Sequence, residues 1–329
     1  MTVKIFVVVF LLPLSRMQAQ SLWDNINLAS VEAKVLGNIN TEKQNDRLII
    51  QTFDTKEGKI TVYLPPLSPG AVVSGTVYLE PGGRLSKDSS RNLTVLQSYH
   101  LSLGELNIPL QRGSFQLQLP ATSGNGTTVL QLKNSTGETV KTGQLSITNA
   151  YIVKNSFTIP PYAVSGDAAT ITGSFDGNIS NTSVMINGEK TELLAESTSQ
   201  LFFKSPEKFT GKVTIECKEK GTTQTSPVNI LKLDLTADKT NLRRGEKTLV
   251  HIKISGLEGL EEKIPVTITN TSPSVITLEG GNTHQITIVP KTDAPSGIFE
   301  ITRNIQSLKN GSFSVSVTIN PYSAAVNSK

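Results

Sequence analysis

The chain holds a single cysteine, Cys217, in 329 residues. No intrachain disulfide can form, so stability has to come from core burial. Histidine is almost as scarce: His100, His251 and His284 are the only three. They stand far apart, and none has a second histidine or cysteine at the spacing of a zinc site. Aromatic residues make up 5% of the chain and Trp23 is the sole tryptophan. A strip of exposed rings for stacking sugars is therefore not expected, and Tyr99, Tyr151, Tyr162 and Tyr322 are scattered residues that read better as core or hinge positions. Charge is nearly balanced, with 31 basic against 27 acidic residues, and the longest basic cluster is Arg243-Arg244. A chain held to nucleic acid by phosphate neutralisation shows a basic face or stripe, so nucleic-acid binding is excluded as an expectation.

Catalytic signatures are missing as well. There is no Gly-x-Ser-x-Gly elbow, no His-Glu-x-x-His pair and no phosphate-binding loop, and Gly82-Gly83 and Gly280-Gly281 are turn glycines by context. No catalytic or cofactor-binding residue is assigned, and the chain reads as a non-enzyme. Asp167, Asp176, Asp234 and Asp238 stand isolated, and no Asp-x-Asp-x-Asp calcium loop occurs. No metal ligand is assigned either, although a site gathered from distant loops would leave no such trace.

The only long apolar run lies at the start, where Lys4 precedes residues 5–14 and a short polar stretch ends in Ala19-Gln20. That is the layout of a secretory signal peptide, residues 1–19, cleaved after Ala19, with Met17 an imperfect −3 residue. Its ten residues fall short of the roughly 20 a membrane helix needs. No cysteine stands near the cleavage point, so a lipobox anchor is excluded. Loss of Lys4 and Arg16 leaves 29 basic against 27 acidic residues. The expected location is exported: periplasmic, outer surface or secreted.

What remains is strand pattern almost throughout. Apolar residues alternate at Ile60, Val62 and Leu64, at Phe115, Leu117 and Leu119, at Val184 and Ile186, at Ile286 and Ile288, and at Phe313, Val315 and Val317. Each run is bounded by Gly, Pro, Asn or Ser, as short strands of sandwiches require. The best helix candidate, residues 29–36, is short. Cys217 continues the alternation of Val213 and Ile215 and reads as a small buried hydrophobe. A weak repeat, GSFQLQL at 113–119, GKVTIEC at 211–217 and GSFSVSV at 311–317, recurs at intervals of 98 and 100 residues. The fold class expected is all-β, with tandem immunoglobulin-like β-sandwich domains after the signal peptide. The expected boundaries are a linker at 20–44, domains at 45–149, 150–230 and 231–321, and a frayed tail at 322–329. Seven Asn-x-Ser/Thr sequons begin at Asn92, Asn125, Asn134, Asn178, Asn181, Asn270 and Asn310. In a bacterial chain they are polar turn chemistry.

The segment SGDAATITGSFDGNISNTSVMINGEK at 165–190 is the most informative. Gly173 and Gly177 bracket Phe175 where the chain must bend, and Asn187-Gly188 between two alternating runs is a two-residue hairpin signal. With the following LFFKSP and TGKVTIEC, it resembles the IPT/TIG-type immunoglobulin-like domain over about 151–230. The matched positions are Gly166, Asp167, Gly173, Phe175, Asn187, Gly188, Pro206 and Gly211. All are fold positions, so the resemblance implies a sandwich and no catalytic site. Such domains occur in cell-surface receptors and in secreted bacterial surface and glycan-handling proteins. The stretch from 231 is similar to a bacterial surface immunoglobulin-like repeat. The Gln-Ala-Gln at the leader's end and the tandem layout are similar to exported proteins of the Bacteroidetes type. The function implied is a cell-surface or periplasmic binding or adhesion module that takes a protein or glycan through its end loops. The alternative is an envelope scaffold or spacer that positions another exported protein.

Overall fold

A computed structural model describes residues 2–4, 29–34, 48–55, 58–81, 98–110, 114–120, 126–147, 157–239, 242–309 and 313–319. Two strands come first, β1 (Thr2–Lys4) and β2 (Ala29–Lys34). The next group is β3 (Ile49–Asp54), β4 (Gly58–Leu64), β5 (Val72–Pro81), β6 (Tyr99–Leu103), β7 (Leu106–Pro109), β8 (Ser114–Gln118), β9 (Gly126–Asn134) and β10 (Thr139–Ile147). A central group follows: β11 (Tyr162–Val164), β12 (Ala168–Thr172), β13 (Thr182–Ile186), β14 (Glu189–Lys190), β15 (Leu193–Glu196), β16 (Gln200–Lys204), β17 (Gly211–Glu219) and β18 (Thr222–Ala237). The last group is β19 (Lys247–Ser255), β20 (Ile264–Asn270), β21 (Ile276–Leu278), β22 (Thr283–Ile288), β23 (Ile298–Ser307) and β24 (Phe313–Ile319). The chain is all-β, and its sheets stack as tandem immunoglobulin-like sandwiches.

Three apolar cores lie between facing sheets. In the first, β3, β4, β5 and β8 cover the sheet of β7, β6, β9 and β10. Ile60, Val62 and Leu64 meet Leu101, Leu130 and Leu132 there, each 1% exposed or less. The second core packs β12, β16 and β15 against β14, β13, β17 and β18, burying Ile171, Leu201, Phe203, Val184, Ile215 and Ile230 completely. The third sets β18, β19, β23 and β21 against β2, β24, β20 and β22. The period-2 alternation read from sequence thus fills the cores: Phe115, Leu117, Leu119, Phe313, Val315 and Val317 are all buried. Removing one such side chain from water contributes roughly 1.5–3 kcal/mol. Cys217 is a free, fully buried thiol, as its alternation implied.

Most pairings are antiparallel, but β11 runs parallel to β18 and β2 parallel to β24. The second of these corrects the sequence reading of 29–36. Residues 29–34 are not helical; they form a strand between β1 and β24, with partners on the β24 side running from Ala29 opposite Phe313 to Ala33 opposite Val317. A two-turn helix would be marginal alone, whereas the open edge of β24 satisfies the backbone groups of this segment. Part of the stretch expected as a linker is therefore built into the last sandwich. Thr2–Lys4, within the expected leader, pair outside it with Glu32–Lys34; the remainder of the leader, Tyr151, the segment joining β10 to the central group, Trp23 and the tail lie outside the described residues.

The hairpin signal at 187–188 is met directly. Asn187 has φ +50° and Gly188 φ +82°, and β13 turns there into β14 with Ile186 opposite Glu189. Both turn positions need the left-handed region, which Asn tolerates and Gly adopts at no steric cost.

Two junctions connect the cores. Between the second and third, β18 is one strand of 16 residues. Its partner changes from β17 up to Ile230 to β19 from Lys232, so the sheets are joined through a continuous backbone. Between the first and second, β15 pairs with β5 at only two positions, Ala195 with Gly75 and Glu196 with Ser74. A small buried cluster of Leu48, Ala168, Leu194, Ala195 and Phe202 supports that pairing, with Tyr63 and Tyr78 packed against it edge to face.

Candidate functional site

The site is built at the first junction, where three chain segments converge. Asp176 belongs to the turn after β12, Glu196 ends β15, and Glu219 ends β17. Each offers a carboxylate oxygen, and the three oxygens lie within 4.8 Å of one another. Local sequence dictates each placement. Glu219 shares the phase of Val213, Ile215 and Cys217, so the strand's pleat turns it inward, and it is 4% exposed. Glu196 terminates the strand that joins the neighbouring sandwich, and it is 0% exposed. Asp176 is fixed by its own turn: its carboxylate accepts from the Asn178 N–H at 2.8 Å and from Asn181 Nδ2 at 2.8 Å, and Lys220 Nζ stands 3.3 Å away.

That turn also touches the first sandwich. Ser74 Oγ donates to the Gly177 carbonyl at 2.5 Å, and the Ile179 N–H donates to Ser74 Oγ at 3.2 Å. Gly177 has φ +74°, and a Cβ there would lie 2.2 Å from the Val72 carbonyl oxygen. Only glycine lets the turn seat this closely. Thr76 Oγ1 donates to the Leu194 carbonyl at 2.7 Å on the adjoining strand.

The electrostatics of the three carboxyls differ. Burial pushes Glu196 up to about 8; the nearby Thr182 hydroxyl acts in the opposite sense, and the charges of Glu219 and Asp176 add to the rise. Glu219 is also raised, by burial first, although its Oε1 accepts from the Asp176 N–H at 2.7 Å. For Asp176, burial works against ionisation, but the bonds from Asn181, the Asn178 N–H and Lys220 outweigh it and hold its carboxyl below the ordinary range. The Thr182 hydroxyl is close enough to act on Glu196, yet at hydrogen-bonding geometry neither Glu196 oxygen nor the buried Thr182 Oγ1 meets a partner. A buried carboxyl without partners costs several kcal/mol unless it stays protonated or meets a positive charge.

The other sequence candidates are not drawn into this site. Tyr99 and Tyr162 are core residues, 7% and 2% exposed, so neither is a sugar platform. His251 Nε2 is 2.7 Å from Asp238 Oδ1 on the surface, which gives Asp238 a partner that sequence did not show. His284 Nε2 is 3.4 Å from Arg303. Asp234 is beside Lys232, and Asp167 Oδ1 accepts from the Ala168 N–H at 2.8 Å. Burial raises the Cys217 thiol to about 12, with Glu219 and Glu196 adding to the effect, so it is not a nucleophile. Among the sequon asparagines, Asn134, Asn178 and Asn270 accept from backbone N–H groups two to four residues on, which is turn chemistry. The sequence reading assigned no metal ligand and treated Asp176 as isolated. Glu196 and Glu219 went unnoticed, although the inward phase of Glu219 was a readable signal.

Comparison with protein-family models gives no match, and comparison with curated protein sequences gives none either. Solved structures do show similarity. One is the SGBP-B protein of the Bacteroides ovatus mixed-linkage glucan utilization locus, in complex with a mixed-linkage heptasaccharide: 14% identity, 73% of this chain and 70% of that one, TM-score 0.25. Another is SGBP-B from a complex xyloglucan utilization locus in Bacteroides uniformis: 10% identity, 82% and 98% coverage, TM-score 0.23. The I9–I11 tandem of titin is similar at 8% identity, 84% and 98% coverage and TM-score 0.22. Likenesses at this level say nothing of shared ligand or activity.

Proposed function

We propose that the chain is an exported, non-enzymatic binding module: three β-sandwiches, divided near 149 and 230, that present end loops to a protein or glycan at the cell envelope. The observation that carries this reading is the fusion of the sandwiches, through β18 at one junction and through β15, β5 and a buried cluster at the other. A chain joined in this way holds its loops at fixed spacing, which reduces the ordering cost of binding. Among the described residues the large apolar side chains left exposed are Val129, Ile298 and Leu308, and they are scattered. Recognition is then polar, as suits a glycan or a hydrophilic protein surface, and among the described residues no apolar patch marks a permanent interface. Among the described residues no helix is long and apolar enough to cross a membrane. The IPT/TIG resemblance belongs to the same reading of the central sandwich. The fusion also favours the second reading, a stiff spacer, because rigidity serves either role.

Affinity electrophoresis of the purified chain against a panel of soluble polysaccharides, with a pull-down from envelope extracts, separates the two. Retardation by one polysaccharide class supports binding. Free migration throughout, with one exported protein retained in the pull-down, supports the scaffold or spacer, and free migration with no retained partner counts against binding.

A further inference from the structure

A trio of carboxylates is not a site by itself, but this one carries a second feature. Glu196 is fully buried with both oxygens unpartnered, and the Thr182 hydroxyl beside it, 5% exposed, is unpartnered too. Native interiors satisfy nearly all such groups. Three unpartnered buried oxygens therefore stand beside the carboxylates of Glu219 and Asp176, the latter with a side chain 16% exposed. All donors are oxygen, which selects a hard cation over zinc or copper. With three carboxylates and one ammonium, the ionised cluster carries two negative charges, the amount one divalent ion neutralises. Calcium accepts six to eight oxygens at about 2.3–2.6 Å, so opposite ligands sit up to roughly 5 Å apart, which accommodates the observed spread. Magnesium, at about 2.0–2.1 Å in a strict octahedron, would require the cluster to contract.

We propose that Asp176, Glu196 and Glu219, with the Thr182 hydroxyl, bind one calcium ion that clamps the first two sandwiches together. The ligands' origins give the clamp its reach. The Asp176 turn rests on Ser74, Glu196 pairs with Ser74 across the sheet, and Glu219 closes the β17–β18 hairpin of the second core. The ion links all three beside the Lys220 ammonium and gives the unpartnered oxygens a ligand. This inference stands apart from the identity of any glycan or protein partner.

Isothermal titration of the chelator-treated chain with calcium chloride tests it, alongside amide hydrogen exchange with and without the metal. One calcium per chain should bind with Kd on the order of 10⁻⁴–10⁻³ M, magnesium at least tenfold more weakly. A hundredfold excess should raise the melting midpoint by about 5 °C. Protection should rise in β15, in β5 around Ser74 and in the 176–179 turn, with the β18–β19 pairing unchanged. Glu196→Gln and Glu219→Gln should each abolish the heat and the protection change. The wild-type titration is decisive even if a variant folds poorly. No saturable heat up to about 10 mM calcium, or equal binding by a folded Glu196→Gln chain, would overturn the site. Calcium binding with no protection change at the junction would overturn the clamp.

Discussion

The two junctions of this chain solve one problem by different means. Between the second and third sandwiches the backbone itself crosses: β18 pairs with β17 up to Ile230 and with β19 from Lys232. Asn229 Nδ2 ties the crossing down by donating to the carbonyls of Gly256 and Glu258 at 2.7 and 2.9 Å. Gly256 allows it, since a Cβ there would lie 2.2 Å from the Ile230 carbonyl oxygen. Every group named there has a partner. Between the first and second sandwiches the contact is made through space, by two paired residues, a small apolar cluster and one seated turn, and it buries the Glu196 carboxyl without partners. Two adjacent interfaces of one chain therefore differ in what holds them. The first depends on packing and on the charge state of three acids, the second on ordinary strand pairing.

Breaking the first junction alone should have the largest effect. Phe202, fully buried in the cluster that supports it, should cost about 4 kcal/mol as Phe202→Ala. Hydrogen exchange should show lost protection in β15 and β5 while β18 and β19 hold. Loss spread equally over both junctions would dissolve the contrast drawn between them.

Acidity comes next. The folded carboxyl of Glu196 lies at about 8, above its ordinary 4.5. The folded state therefore holds a proton that the unfolded chain releases. The protonated form's contribution is fully present below the ordinary value and is lost as pH rises through the folded one. In chelator the first junction should lose on the order of 3 kcal/mol between pH 5 and pH 8. Denaturant unfolding across that range checks it, and Glu196→Gln, neutral at every pH, should flatten the profile.

The second junction should respond less. Asn229→Ala removes two hydrogen bonds and leaves two carbonyls to find other donors, at a cost of about 1–2 kcal/mol. Its exchange signature should sit around residues 254–260 and leave 176–179 untouched. A remote control sharpens the comparison: Asn187→Gly relieves a side chain held at φ +50° but removes the acceptor of the Thr214 N–H, 2.8 Å away, and should change stability by less than about 1 kcal/mol. Thermal melting is sufficient to check it.

Much of the fold was legible residue by residue. Val213, Ile215 and Cys217 alternate because one face of β17 is buried, and they are in the core. Asn187-Gly188 specifies a turn by its own backbone preference, so it needs no tertiary context. Within 29–36, a short helix candidate by sequence, residues 29–34 form a strand because their conformation is set by a partner almost 300 residues away, β24. The acidic site was hidden for the same reason. Asp176, Glu196 and Glu219 have no common spacing, and only Glu219 betrays itself, by falling on the inward phase of its strand.

By itself the sequence determined the all-β class, the buried state of its one cysteine, the hairpin at 187–188 and the alternating cores. These follow from side-chain period and local turn preference, which act over a few residues. Tertiary structure alone decided that β18 would serve two sheets, that a segment near the start would edge the last one, and that three distant carboxyls would meet. Those outcomes depend on which edges remain open once each sandwich has closed, and no short-range pattern records that.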